Sequence, residues 1–406
     1  MKDKPSILVS SSRVHIRSFF FSLIFALSLF ILSAQNQSTA ETVYWGGVGF
    51  SGEWSERKSR YPNTSKLLCR ATSCPDKQLG KSALAKFAKR EFSNFKFDFT
   101  GVPANQPEAL VGVIVISNET LNVAKEENSY LHTYRIFSNF MLFEVDTGKI
   151  FQTVPVIVRY TNALDQPATA EQNFDTFRHL ALGDNDKING LFQRVYSLTT
   201  DIKPSLLPGK YVQISKFTFS ADALASFAAK KPGSLNSQFA QFFEGELVGR
   251  TKAHLIPSAT DKSVIAGRIK ATFEDGQREL QLPEAAVNIS VLVRIAKRFE
   301  KINGPQRTVC HAVALTLKGS DEIETITTLK FAIFADACGV TDLNREFDPT
   351  YYFSRSLYSL LQNISKQIGS NQPNAKWIES NARKNDGKDV AAELIKLRKQ
   401  AFSLEF

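Results

Sequence analysis

Three glycines near the start of the chain have the spacing of a nucleotide-binding loop. Gly47, Gly49 and Gly52 fit the pattern G-x-G-x-x-G and follow a strand-like run. In a dinucleotide-binding fold such glycines let the backbone approach a pyrophosphate at the start of a helix. The next residues, 53–63, are polar and lack the apolar spacing of a helix. The segment therefore predicts a bulged or closely packed strand, and no cofactor is expected.

Acidic and imidazole side chains show no spacing typical of a catalytic or metal site. The run from Asp184 to Gly190 resembles a calcium loop, but Ile188 and Asn189 stand where an oxygen ligand and a glycine are needed. It predicts a solvated turn that opens a helix at Ile188. Dispersed carboxylates could still form a glycosidase pair, because such a pair needs only spatial closeness. Structural roles are expected for the later histidines, which are His132, His179, His254 and His311.

The two halves of the chain differ in charge at equivalent positions, where exposed hairpin ends are expected. The first half is acidic there and the second is basic, which could give the halves different partners or let copies pair head to tail. Neutral surface drift is the alternative. The acidic set is Glu119, Lys125, Glu126 and Glu127. The basic set, which is the candidate binding surface, is Arg294, Lys297, Arg298, Lys301 and Arg307, with Glu300 as its one acid.

The first forty residues have the order of a secretory signal peptide. Basic residues come first, an apolar stretch from Phe19 to Leu32 follows, and the small-residue segment Ser33–Ala40 ends the region. The apolar stretch is shorter than the ~20 residues of a membrane-spanning helix. The pattern predicts cleavage before Glu41 and a periplasmic or secreted protein with no membrane span after cleavage. An uncleaved anchor is the alternative.

Charge and cysteine content fit that compartment. The net charge is +10, and its excess of bases favours anionic surfaces such as lipid headgroups or acidic glycans. Export argues against nucleic acid as a partner.

An even number of cysteines in an exported chain favours two disulfides, here Cys69–Cys74 and Cys310–Cys338. A zinc site is the alternative, although C-x-x-C spacing is absent.

The order of predicted elements occurs twice along the chain. Thr42–Phe50 and Tyr211–Phe219 are alternating strand-like runs, and amphipathic helices follow at Ser82–Phe95 and Leu235–Val248. Three strands and a closing helix come next in each half. The last two strands are Tyr134–Val145 and Ile150–Arg159 in the first half, and Val309–Leu317 and Thr325–Phe334 in the second. The turn Asp146–Lys149 is typical of a hairpin.

This pattern predicts an α+β fold of two tandem, related domains, each with the order strand, helix, three strands, helix. The first domain is expected at 41–203 and the second at 209–370, because prolines and a glycine interrupt the pattern between Pro204 and Gly209. A helical tail is expected at 371–406, interrupted near Gly387. An internal duplication explains the repeated order. The alternative is that α+β chains often look alike at this level.

The repeated order and the turn Asp146–Lys149 resemble the periplasmic α+β domains of the curli-secretion lipoprotein and TolB amino-terminal type. The resemblance implies assembly, scaffolding or membership of a cell-envelope complex rather than catalysis. It covers the topology of both halves. The chain departs from it by lacking a lipobox cysteine near the cleavage point, which leaves outer-membrane anchoring unsupported.

We therefore expect a non-catalytic interaction or accessory protein of the cell envelope that binds envelope proteins or an anionic envelope surface. No catalytic, cofactor-binding or metal-binding residue is predicted. Two other functions stay open. One is a secreted hydrolase acting on glycan or peptide, and the other is a small-ligand-binding protein with a cleft between its domains. An aromatic-lined cleft would favour ligand capture.

Overall fold

The computed structural model describes the chain in thirteen segments, residues 41–67, 78–126, 129–183, 188–204, 210–227, 232–251, 253–258, 264–265, 267–273, 276–333, 338–342, 349–383 and 389–402. The predicted signal peptide, the pair Cys69 and Cys74, the turn at 184–187 and most of the predicted domain boundary lie outside them. Within these segments no helix has the length and apolarity needed to cross a membrane. Residues Thr42–Phe406 form one compact unit.

The first sheet is built mainly from the first half of the chain. Its core order is β1-β3-β4-β5, in which β1 lies parallel to β3 and the other pairs are antiparallel, while β2 pairs with β1. The predicted hairpin is confirmed, since Gly148 takes a positive φ of 63° in the turn. The strands are β1 Glu41–Ser51, β2 Phe95–Asp98, β3 Leu110–Glu126, β4 Ser129–Glu144 and β5 Ile150–Leu164.

The second sheet repeats that order with later strands. Its core is β6-β11-β12-β13, again with one parallel pair followed by antiparallel pairs; β7, β14 and β15 extend it. The α+β class is thus confirmed, and the core strands of the two sheets have the same order. The remaining strands are β6 Tyr211–Phe219, β7 His254–Ile256, β8 Val264–Ile265, β9 Arg268–Phe273, β10 Gly276–Gln281, β11 Val287–Asn303, β12 Gln306–Ser320, β13 Thr325–Ile333, β14 Cys338–Asp342 and β15 Ala382–Arg383.

Nine α-helices connect and cover the sheets within the described segments. They are α1 Arg57–Arg60, α2 Gln78–Phe87, α3 Ala170–Leu182, α4 Leu191–Thr199, α5 Ala221–Ser226, α6 Pro232–Thr251, α7 Pro349–Gly369, α8 Ala375–Asn381 and α9 Val390–Phe402. Helix α6 contains the predicted helix at 235–248, and the tail is helical as expected. Strand β15 follows α8 directly, so the tail is already interrupted before the position that the sequence indicated.

The predicted helix at Ser82–Phe95 is wrong at both ends, because α2 ends at Phe87 and Phe95 begins β2. Contacts with the end of α4 hold the intervening chain out of a helix. The Ser93 amide donates to the Thr200 carbonyl at 2.9 Å, and the Asn94 side chain donates to the Asp201 carbonyl at 3.2 Å. Tertiary hydrogen bonds therefore override the apolar spacing that continues past Phe87.

Helices α6 and α7 lie between the two sheets. Helix α6 packs against β5 of the first sheet and β6 of the second, and α7 contacts β3 and β12. The other face of the first sheet carries α3, where the rings of Tyr134 and Phe177 meet at 5.3 Å. Buried apolar residues of both halves form one continuous cluster. The first sheet is thus covered on one face by helices of its own half and on the other by helices of the second half.

A hairpin from the second half also joins the first sheet. Strands β9 and β10 pair with each other, and β9 pairs antiparallel with β1 through residues 49–51 and 271–273. Ile269, Ala271 and Phe273 of β9 pack with the apolar residues Val113 and Met141 of the first sheet. This hairpin was not predicted from the sequence, and the division at 203 and 209 into two domains stays a prediction.

The glycine-rich stretch is a closely packed, irregular strand. The pairing of β1 with β3 shifts register between Trp45 and Val48. A side chain at Gly49 would lie 2.7 Å from the Phe273 ring, so glycine is required there for the approach of β9. The predicted bulged strand is therefore confirmed.

Candidate functional site

A cavity of about 390 Å³ opens between the first sheet and the helices α6 and α7. Strands β3, β4 and β5 supply one wall, and one face of α7 supplies most of the other. The cavity therefore lies where the first half of the chain meets the second. Its lining residues are Leu121, Asn122, Val123, Thr133, Arg135, Arg159, Thr161, Phe242, Thr350, Tyr351, Ser354, Arg355, Tyr358, Ser359 and Gln362.

The sheet wall of the cavity is polar because of the register of its strands. A shift between Ile116 and Asn118 in β3 turns Thr120 and Asn122 to the side that faces α7. On the same side, Arg135 of β4 stands directly opposite Arg159 of β5. Like charges placed opposite each other across a strand pair destabilise a sheet. An anion bound beside the two guanidinium groups would remove that repulsion.

Arg135 is the most buried charged group of the cavity. Its exposed fraction is 6%, and its Nε and Nη1 atoms are buried without a hydrogen-bond partner among the described residues. Burial lowers the pKa of Arg135, and the repulsion from Arg159 lowers it further, while Tyr358 and Tyr351 act in the opposite direction. A buried cation normally pairs with a carboxylate. Within the described segments, the ionisable groups that act on Arg135 are two tyrosines and an arginine.

Tyr358 of α7 is the platform on which the Arg135 guanidinium rests. The guanidinium carbon lies 4.3 Å from the centre of the tyrosine ring, a cation–π geometry that holds the group in place. The ring itself is fixed by the aromatic side chain of Phe242 at 4.5 Å and by that of Phe239 at 4.8 Å. Gln238 donates a hydrogen bond to the tyrosine hydroxyl. Arg135 is thereby oriented before any ligand arrives.

Arg159 and Arg355 stand at the mouth of the cavity, where both are exposed. Between mouth and floor the lining is rich in hydroxyl and amide groups, including Thr133, Ser354 and Gln362. No carboxylate, imidazole or thiol belongs to the lining among the described residues. Three cations, hydroxyls and an aromatic platform form a site that can hold an anion and offer hydrogen bonds to its polar atoms.

The predicted basic surface lies on the β11–β12 hairpin, and none of its residues lines the cavity. Lys297, Arg298 and Lys301 are exposed on β11, whereas Arg294 and Arg307 are partly buried. Glu300 forms ion pairs with Arg298 at 2.9 Å and with Arg307 at 3.1 Å. The five basic residues are thus placed on one hairpin, with two of them neutralised in part by the same carboxylate. These residues stay a predicted binding surface.

Of the acidic set in the first half, Glu119 is the residue whose surroundings are described, and Glu127 lies outside the described residues. Glu119 lies within β3 and is buried, with an exposed fraction of 8%. Its carboxylate accepts from the amide and side chain of Asn63 at 2.8 and 2.9 Å, and from those of Thr64 at 2.7 Å each. Its burial raises its pKa. The expectation that Glu119 belongs to an exposed hairpin end is therefore wrong, because the carboxylate anchors the turn at 63–64.

Other residues considered for chemistry have structural contacts. His132 Nε2 accepts from the amide of Ala168 at 3.1 Å, and the His311 ring stacks on Tyr352 at 5.1 Å. The predicted disulfide Cys310–Cys338 is confirmed and joins β12 to β14. Within the described segments no group of three or more His, Cys, Asp or Glu side chains is arranged to hold a metal ion.

The cavity was not predicted from the sequence, although two local features mark residues that line it. Arg135 is a charged residue near the start of a largely apolar run, Tyr134–Val145. Tyr351, Arg355, Tyr358 and Gln362 recur at the spacing of one helix face. Neither feature shows that the two elements face each other, since that depends on how the halves pack.

No family model matches the chain, and no curated protein matches it. Among solved structures, the chain is similar to a Helicobacter pylori protein described as a neuraminyllactose-binding hemagglutinin homologue. The alignment covers 44% of this chain and 96% of that chain, with 13% identity and a TM-score of 0.23.

Proposed function

We propose that the protein is a binding protein that captures a small anionic ligand in the cavity between its first sheet and helix α7. The observation that carries the proposal is the buried guanidinium of Arg135 beside the cavity, whose Nε and Nη1 atoms have no hydrogen-bond partner in the part of the chain that the structure describes. Leaving a buried charge unpaired costs several kcal/mol. An anion that accepts hydrogen bonds from this group would recover part of that cost on binding.

The dimensions and lining of the site support capture of a small molecule. A volume of about 390 Å³ falls at the lower end of the range for small-molecule pockets. Arg135 at the floor and Arg159 and Arg355 at the mouth provide a path of positive charge for an incoming anion. Of the functions left open by the sequence, capture of a ligand in an aromatic-lined cleft is the one these contacts favour.

The proposal is tested by calorimetric titration of residues 41–406 with citrate and with inorganic phosphate as separate probes. We expect saturable binding of at least one anion, weakened about tenfold or more in Arg135→Met, because a charge-assisted hydrogen bond contributes roughly 1.5–3 kcal/mol. Arg268→Met is the matched control, since Arg268 is an exposed arginine of β9 outside the cavity. It should bind both probes as the unchanged protein does.

A second variant tests the cavity in case Arg135→Met fails to fold. Arg159→Gln changes an exposed residue at the mouth, so its fold should be intact, and we expect a smaller loss of affinity. Binding of neither probe by the unchanged protein, or equal affinity of Arg135→Met and Arg268→Met, would contradict the proposal.

A further inference from the structure

The end of the β11–β12 hairpin extends into solvent on both of its faces. Every residue from Lys297 to Gln306 is exposed. We define the arm as residues 297–307 together with Val340, which pairs with Thr308 from the adjoining strand β14. No residue of the arm lines the cavity that contains Arg135, which we call the arginine cavity.

Large apolar side chains of the arm are exposed on both faces. Phe299 is 50% exposed, Ile302 is 61% exposed and Val340 is 64% exposed. Side chains alternate along a strand, so Phe299 and Ile302 point to opposite faces. Val340 lies on the face of Phe299, because it pairs with Thr308 and Thr308 pairs with Lys301. The apolar groups therefore cannot all be covered by one partner that docks on a single face.

Basic side chains surround these apolar groups. Lys297 and Lys301 lie two residues before and after Phe299 on its face, and Arg307 lies opposite Ile302. Arg298 completes a set of four bases against the single acid Glu300, which gives the arm a net charge of +3. No ion pair of Lys297 or Lys301 is found within the described segments. Long basic side chains beside exposed apolar ones can reach anionic headgroups while the apolar groups enter below them.

We propose that the arm binds the surface of an anionic lipid bilayer. Phe299, Ile302 and Val340 enter the boundary between headgroups and acyl chains. The four bases lie at the level of the lipid phosphates. A bilayer meets both faces of the arm at once, which a folded protein docked on one face does not. The positive charge of the arm complements the negative potential of the bilayer surface.

The first test places a fluorescent reporter on the arm. In Phe299→Trp of residues 41–406, vesicles of phosphatidylglycerol and phosphatidylcholine should shift the emission to the blue, and brominated acyl chains should quench it. The 41–406 protein is used because it lacks the apolar stretch at 19–32, which would bind vesicles by itself. Leu84→Trp is the matched control, because Leu84 is 45% exposed on α2. Its emission should not respond to the same vesicles.

The second test removes charge from the arm without changing its apolar groups. Lys297→Gln with Lys301→Gln should weaken binding to the anionic vesicles by about tenfold or more, since each base near such a surface contributes roughly 1 kcal/mol. The double variant Lys58→Gln with Lys89→Gln removes the same charge from exposed positions elsewhere and should bind normally. High salt should weaken binding of the unchanged protein.

Two results would overturn the proposal. One is equal binding of the two double variants, and the other is an unresponsive Phe299→Trp together with crosslinking of the arm to a protein partner in the absence of lipid. The Arg135→Met variant should bind vesicles normally. A negative lipid test would therefore not contradict anion binding in the cavity. A negative anion test would not contradict lipid binding by the arm.

Discussion

Arg135 and Glu119 are both buried charged residues, but their surroundings differ. Glu119 is buried to a similar degree but accepts four hydrogen bonds from Asn63 and Thr64. Its charge is satisfied within the chain, which is the usual condition of a buried ionised group. The Arg135 guanidinium rests on Tyr358 and faces Arg159 instead. A residue that is held in place yet incompletely satisfied is better suited to receive a ligand than to stabilise the fold.

His254 should make the stability of the protein depend on pH. Burial lowers the pKa of His254 below its ordinary value of 6.5, so the folded state favours the neutral ring. The corresponding stabilisation is fully present above pH 6.5 and is lost as the pH falls through the folded-state pKa. We expect the free energy of unfolding, measured in urea, to decrease on acidification in that window. His254→Gln should show a smaller decrease, and an identical pH profile for the two proteins would contradict this account.

Strands with local signals were predictable, whereas elements defined by distant partners were not. Tyr211–Phe219 has the bounds of β6, and the turn at 146–149 joins β4 to β5, because alternation and turn residues act over a few positions. The β9–β10 hairpin was missed even though Ile269, Ala271 and Phe273 alternate. Its place at the edge of the first sheet depends on pairing with β1, more than 200 residues earlier.

The cavity could not be predicted either, because it forms where elements distant in the sequence pack together. Arg135 lies on β4 and Tyr358 on α7, and nothing local to either element indicates that α7 covers the first sheet. One of the three functions left open by the sequence was ligand binding in a cleft between the two halves. The sequence could not indicate which side chains would meet there, because contacts between halves depend on sheet register and helix position together.

The disulfide Cys310–Cys338 should stabilise the second sheet by fixing β14 to β12. It joins residues separated by 28 positions, and closing a loop of that length contributes roughly 3.5 kcal/mol in the chain-entropy account. Cys310→Ala with Cys338→Ala should lower the free energy of unfolding by about that amount, measured in urea. The double variant isolates this bond, since chemical reduction would act on every cysteine. An unchanged unfolding midpoint would show that β14 is held without the disulfide.

The two halves should fold as one cooperative unit in spite of the similar strand order of their sheets. The first sheet is closed by α6 and α7 on one face and extended by β9, and all three belong to the second half of the chain. A fragment of residues 41–203 would expose the fully buried Phe137 and Met141 to water, together with the partly buried Ile157. Each fully buried side chain of this size contributes roughly 1.5–3 kcal/mol, so the loss of several would exceed much of a domain's stability.

We therefore expect residues 41–406 to show one urea transition, with coincident midpoints by far- and near-ultraviolet circular dichroism. The fragment 41–203 should show no cooperative transition, because its sheet lacks the helices that cover it. The fragment 209–406 serves as the comparison, since it retains α6, α7 and the whole of the second sheet. A cooperative transition of 41–203 at the midpoint of the full protein would instead support two independent domains. In that case the cavity would lie between two separately stable domains. An anion should then raise the urea midpoint of the 41–406 protein but not that of either fragment, because each fragment supplies only one wall of the cavity.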